Sequence, residues 1–100
     1  MRRGEVWSYR PVLERPGQSR LRLIVSADAV NDAALPVCLG LLVVDSDPGG
    51  LLSAALGEIG WASALSIEAT LRSRLGDLIY TAAPEEMDAV GNALRAAQDL

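Results

Sequence analysis

Val37-Cys38-Leu39-Gly40-Leu41-Leu42-Val43-Val44 is an eight-residue run without a charge, and Asp45-Ser46-Asp47-Pro48-Gly49-Gly50 follows it at once. A short apolar run closed by turn residues is the pattern of a central strand covered on both faces, with Gly40 marking a bend or bulge inside it. The polar cluster then stands at the tip of a buried strand, where side chains can act on a ligand while the strand holds their position.

Working outward, Gly4 to Tyr9 is rich in β-formers and stops at Arg10-Pro11, so it reads as a first strand. Residues 10 to 19 contain Pro11, Pro16, Gly17 and Ser19 and form a loop. Leu21 to Ser26 is a second strand, joined to the central one by a short connection through Asn31. Leu51 to Leu56 and Ile59 to Ala64 make a hairpin around Gly57-Glu58. Ser66 to Arg74 fits either a short helix or an extended crossing segment, and Leu75 to Tyr80 reads as a bent last strand. Beyond it, Pro84 suits a first helical position, Glu85 and Glu86 favour the positive helix start, and Met87, Val90, Leu94 and Ala97 recur at helical spacing. Ala83 is a poor cap for that helix.

Strands followed by one amphipathic helix make an α+β unit, a small, strongly bent antiparallel sheet or barrel with a C-terminal helix. The 100 residues suffice for one domain, spanning 1–100. Half are apolar, which is ample for a core. No uncharged run reaches membrane-spanning length, and no apolar signal segment follows the basic start, so no membrane association is expected and the cytoplasm is the expected location.

Absent residue types restrict the chemistry. With no histidine, imidazole acid–base catalysis, a Ser-His-Asp triad and histidine-ligated zinc are excluded. The one cysteine, Cys38, can form neither an internal disulfide nor a thiolate cluster, and its apolar strand makes it a core residue. No metal and no cofactor are expected. All nine cations are arginines, whose planar fork suits phosphate. Six of them lie in residues 1–22 against Glu5 and Glu14, while the whole chain carries a net charge of −4. That balance excludes a broad nucleic-acid coat but allows a small basic patch at the N-terminal loops.

Three stretches, in order, resemble the MazF/PemK family of ribonuclease toxins: Arg2-Arg3-Gly4-Glu5-Val6-Trp7; Arg20-Leu21-Arg22-Leu23-Ile24-Val25-Ser26 with Asp28 and Asn31; and Ser73-Arg74-Leu75-Gly76 through Ile79 to Pro84-Glu85-Glu86-Met87-Asp88-Ala89-Val90 with Ala93-Leu94. The resemblance implies a CcdB/PemK-type toxin barrel, usually a homodimer, that cleaves single-stranded RNA without a metal. It also implies an antitoxin whose flexible tail lies over the active groove. Three positions depart from the family pattern. Leu21 stands where members have proline after the catalytic arginine, Asp45-Ser46 where they have threonine, often followed by serine, and Leu65-Ser66 where they have Asp-Gln. A degenerate relative that binds a protein partner without cutting RNA is the alternative.

On that basis Arg20 is the candidate to clamp the charged phosphorane, with Ser46 as a hydroxyl donor and Asp45 as a candidate general base. The competing reading is an Arg20 paired with Glu14 or Asp45 and an Asp45-Ser46 that merely caps a turn. Arg10, Arg15, Ser19 and Arg22 are candidate RNA contacts that fix register. Trp7 and Tyr9 suit either base stacking or the core. Nothing points to DNA as a partner.

Overall fold

The computed structural model describes residues 1–99. Six strands form one sheet: β1 (Glu5–Tyr9), β2 (Leu21–Ile24), β3 (Val37–Val44), β4 (Ser53–Leu56), β5 (Gly60–Leu71) and β6 (Leu75–Thr81). A short helix α1 (Asp28–Asp32) joins β2 to β3, and α2 (Pro84–Gln98) ends the described chain. The sheet order is β4-β5-β3-β2-β1-β6, and every pairing is antiparallel. The sheet is open, not a closed barrel: β4 and β6 are its edges and do not pair with each other.

Val37–Val44 lies in the interior of the sheet as its apolar run demands, but Leu39 is exposed. The expected cover on both faces is incomplete at this position, since α2 packs against β4 and β5. The bulge falls between Leu41 and Val43 rather than at Gly40. Gly40 serves another purpose: a Cβ there would stand 2.5 Å from Thr70 Oγ1, so its missing side chain makes room for the buried Thr70 on β5. The ambiguous segment from Ser66 is mostly a continuation of β5 to Leu71, followed by one 3₁₀ turn at Arg72–Arg74.

One core joins sheet and helix, formed by Val6, Leu23, Leu41, Val43, Ala54, Leu56, Ala62 and Val90, with Met87 and Leu94 packed against it. Fully burying a side chain of the Val or Leu class stabilises by about 1.5–3 kcal/mol, so this cluster is what ties α2 to the sheet. Cys38 is buried, and burial pushes its thiol pKa up. Asn31 is a latch: its amide donates to the Ser26 carbonyl and to Asp28 Oδ1, each at 3.0 Å, while its own oxygen accepts from the Ser26 hydroxyl.

Ala83 has no side chain to cap the first turn, and Glu86 instead satisfies the N–H of Ala83 itself. Its Oε1 accepts from the Ala83 N–H at 2.8 Å and from the Tyr80 hydroxyl at 2.7 Å, and its Oε2 accepts from the Gly57 N–H at 2.6 Å. Tyr80 is on edge strand β6, whereas Gly57 is in the turn after edge strand β4. One carboxylate thus bridges the two edges that the hydrogen-bonded ladder leaves apart.

Candidate functional site

The site is built where the end of β3 meets the start of β2. The Ser19 hydroxyl donates to the Val43 carbonyl, which binds the residue before Arg20 to the strand that leads into Asp45. Tyr9 N–H donates to the Arg20 carbonyl at 2.8 Å, so Arg20 extends the β1–β2 ladder by one position. Its backbone is therefore fixed by the sheet while its side chain stays 60% exposed. The guanidinium meets Glu14 of the preceding loop, Nη1 to Oε1 at 3.1 Å. Of the two acids that could pair with it, Glu14 does so.

Two cavities share Arg20. One, of about 520 Å³, is lined by Gln18, Ser19, Arg20, Val44, Asp45 and Ile59 among others. The second, of about 380 Å³, is lined by Arg10, Arg20, Ser73, Arg74 and Gly76 with Ser8, Tyr9 and Leu75. Arg20 and Asp45, distant in sequence, thus border one concave surface. Ser46 lies one residue beyond, exposed at the strand tip, and does not line the cavity. Turn capping falls to Asp47, whose Oδ1 accepts from the Gly49 N–H at 2.8 Å. Among the described residues no hydrogen bond engages the side chain of Asp45 or Ser46.

The other candidates divide by location. Arg10 and Arg15 are exposed on the loop before β2. Arg22 is only 1% exposed. Its Nε donates to Glu68 Oε1 at 2.6 Å, its Nη1 donates to the Ser19 and Leu21 carbonyls at 2.9 Å each, and its guanidinium lies 4.5 Å from the centre of the Tyr9 ring. A side chain held this way cannot swing out to solvent phosphates; it anchors the loop that presents Arg20. Tyr9 is buried against it, and half-buried Trp7 donates to Glu5 Oε1 at 3.1 Å.

Arg74 belongs to the site, although the linear sequence does not single it out. Its Nη1 donates to the carbonyls of Arg10 and Pro11 at 3.1 Å, pinning the far end of the same loop. Its position in the 3₁₀ turn between β5 and β6 carries no local signal, since only the pairing of β1 with β6 brings it beside Arg10. Among the described residues no group of three or more His, Cys, Asp or Glu side chains is placed to hold a metal ion. Among them, too, no helix is long and apolar enough to cross a membrane.

Neither a protein-family model nor a curated protein sequence matches the chain. Solved structures do. An endoribonuclease in complex with its cognate antitoxin, from a mycobacterial species, superposes with a TM-score of 0.86 at 23% identity, covering 100% of this chain and 96% of that one. A further structure of an endoribonuclease from a mycobacterial species gives 0.84 at 23% identity, with 100% and 92% covered. MazF from Deinococcus radiodurans gives 0.76 at 19% identity, with 99% and 96% covered. The open six-stranded antiparallel sheet with its C-terminal helix is the MazF-type toxin fold.

Proposed function

We propose that this chain is the toxin of a type II toxin–antitoxin pair, a metal-independent endoribonuclease that cuts single-stranded RNA at a short sequence. The observation that carries the reading is Arg20, an exposed guanidinium with a sheet-fixed backbone, standing between two cavities with Asp45 on the wall of one. The fold shared with endoribonuclease toxins supports it.

The chemistry uses side chains of this protein, the RNA itself and water. The ribose 2′-oxygen attacks the adjacent phosphorus, forming the 2′-O–P bond, and the P–O5′ bond breaks. The products are a 2′,3′-cyclic phosphate and a 5′-hydroxyl that takes its proton from water. Asp45 accepts the 2′-hydroxyl proton. Charge accumulates on the phosphorane oxygens, where the Arg20 fork can give two parallel N–H donors. The Arg20–Glu14 pair is solvent-exposed and correspondingly weak, so an incoming phosphate can replace the carboxylate. Arg10 and Arg15 hold neighbouring phosphates, and Ser46 donates to the substrate at the cavity rim. Ser19 and Arg22 act on the protein side, holding Arg20 in place. The requirement for a 2′-hydroxyl makes RNA, not DNA, the substrate.

A protein antitoxin is the proposed partner, acting in the cytoplasm and lying over the groove around Arg20. Exposed Leu39, Leu65, Ile67, Leu78 and Ile79 support a homodimer, since so small a chain rarely leaves this much apolar surface to water. Incubating the protein with a mixed RNA pool in EDTA tests the activity. New 5′-hydroxyl ends are expected; intact RNA together with tight binding of an antitoxin peptide would replace the enzyme by a binding module. Sedimentation at micromolar concentration tests the dimer.

A further inference from the structure

A third cavity, of about 390 Å³, borders the loop before β2 and carries the Arg22–Glu68 ion pair on its wall. Its lining includes Pro11, Val12, Leu13, Gln18, Arg22 and Glu68. Gln18 is shared with the cavity that holds Asp45, and Tyr9 with the cavity that holds Arg74, so the three hollows surround one loop with Arg20 at its end. Arg20 and Arg22 are two residues apart along an extended segment and therefore face the same side of the sheet.

Its walls and its polar groups do not match an ordinary loop-packing gap. Val12 and Leu13 are 60% and 65% exposed at the mouth, apolar side chains that folding leaves wet. Arg22 is among the most deeply buried side chains, and among the described residues no hydrogen bond engages Glu68 Oε2. The Glu68 side chain keeps 38% exposure while Arg22 keeps 1%. A carboxylate braced by a buried guanidinium is thus held in an apolar-walled hollow with one oxygen in reserve.

Building on the nuclease reading, we propose that this cavity takes one nucleobase of the RNA beside the cleaved phosphate, that the base is guanine, and that Glu68 determines the choice. A carboxylate accepts and cannot donate, so it selects a base edge with N–H groups. Guanine presents two adjacent donors, N1–H and N2–H, next to the O6 acceptor. Glu68 receives the donors, while Arg22 Nε holds Glu68 Oε1 and fixes the carboxylate in place. Adenine and cytosine offer one amino group beside an acceptor that the carboxylate repels, and uracil offers one N–H between two acceptors. Pro11, Val12 and Leu13 cover the base faces, and Gln18 reaches its edge from the loop.

The test has two arms. In the first, 3′-GMP, 3′-AMP, 3′-CMP and 3′-UMP are titrated into the wild-type protein while backbone amide resonances are followed. 3′-GMP is expected to shift Glu68 and the neighbouring cavity residues Ala69 and Leu71 saturably, and to bind about tenfold or more tightly than the others. Equal affinity for all four, or shifts confined to the Arg20 face, would overturn the pocket. In the second arm, cleavage ends on a random RNA are compared for wild type and Glu68→Gln. The amide oxygen of the variant side chain still accepts from Arg22 Nε, and a thermal melt checks folding. The wild type should show guanine at one fixed position near the break, and the variant should lose that preference. Cleavage without such a guanine, or the same preference in the variant, sinks the proposal and leaves the nuclease reading standing. Selective 3′-GMP binding by a protein that cuts no RNA supports the pocket and removes the nuclease.

Discussion

Arg20 is offered to solvent already paired: its Nη1 is 3.1 Å from Glu14 Oε1, with both side chains more than half exposed. Exposed pairs of this kind contribute little to stability, about 0–1 kcal/mol, so the contact orients a guanidinium without locking it. Arg20→Lys keeps the positive charge and loses the fork. RNA cleavage should drop about a hundredfold or more, with an unchanged melting temperature. A lysine variant that cuts at the wild-type rate would remove Arg20 from the mechanism.

The two carboxylates near Arg20 separate by substitution. Asp45→Asn removes a proton acceptor and should lower the rate about a hundredfold or more. Glu14→Gln removes only the resting partner of Arg20 and should change it by less than about tenfold. If the effects come out reversed, Glu14 is the base. Asp45→Thr adds a further check, because it abolishes cleavage when the carboxylate is needed and accelerates it when the charge merely repels phosphate.

RNA affinity should fall steeply with salt, because the acidic chain confines attraction to a few arginines. Three phosphate contacts, at Arg10, Arg15 and Arg20, give a slope of log affinity against log salt of about −2 for a single strand. Arg15→Gln should reduce that slope by about 0.7 and weaken all sequences alike. A flat salt dependence would shift the binding energy to base stacking.

Gly60 opens β5 at a φ of +138°, and a Cβ there would overlap the Val44 carbonyl. Gly60→Ala should destabilise by more than about 2 kcal/mol, read by chemical denaturation. It should also slow cleavage, since Val44 leads directly into Asp45. A variant as stable as wild type would show that the β4–β5 hairpin can shift to make room.

Burial at Glu86 opposes its charged form, but hydrogen bonds from Ala83, Tyr80 and Gly57 outweigh this and hold the carboxyl below its ordinary value of 4.5. A carboxyl lowered on folding stabilises at pH values above its unfolded value, and that contribution is lost as the pH falls through the folded one. Wild type should therefore melt above Glu86→Gln at neutral pH, with the gap closing as the pH drops below about 4.5. Glu86→Ala should cost about 1–2 kcal/mol through its unsatisfied N–H groups. The same hydrogen bond raises the Tyr80 pKa, so stability from that group is full below the ordinary tyrosine value of 10.0 and declines above it.

Local pattern was enough to read the central strand Val37–Val44, the first strand and the start of the last helix, because each carries a signal within its own residues: an uncharged run, a β-rich segment stopped by proline, a proline at the first helical position. It was not enough for Ser66 to Arg74, which fits helix or strand by local pattern and where β5 continues through Glu68 and Thr70, sustained by pairing with β3. The linear order set Arg20 apart as the phosphate clamp but grouped Arg10, Arg15 and Arg22 alike as RNA contacts. Burial separates them: Arg22 is enclosed against Glu68, 46 positions away, while Arg20, two residues before it, reaches solvent.

The sequence by itself determined the chemistry this protein can use and the types of its main elements. Missing histidine and lysine leave arginine, carboxylates and hydroxyls as the available reactive groups, and apolar periodicity depends only on near neighbours. Tertiary structure alone decided which of those groups meet: Asp45 on the cavity of Arg20, Arg74 on the loop of Arg10, Glu86 joining the two open edges of the sheet. Those meetings depend on long-range strand register and on the bend of the sheet, and a one-position shift in register turns every side chain to the opposite face.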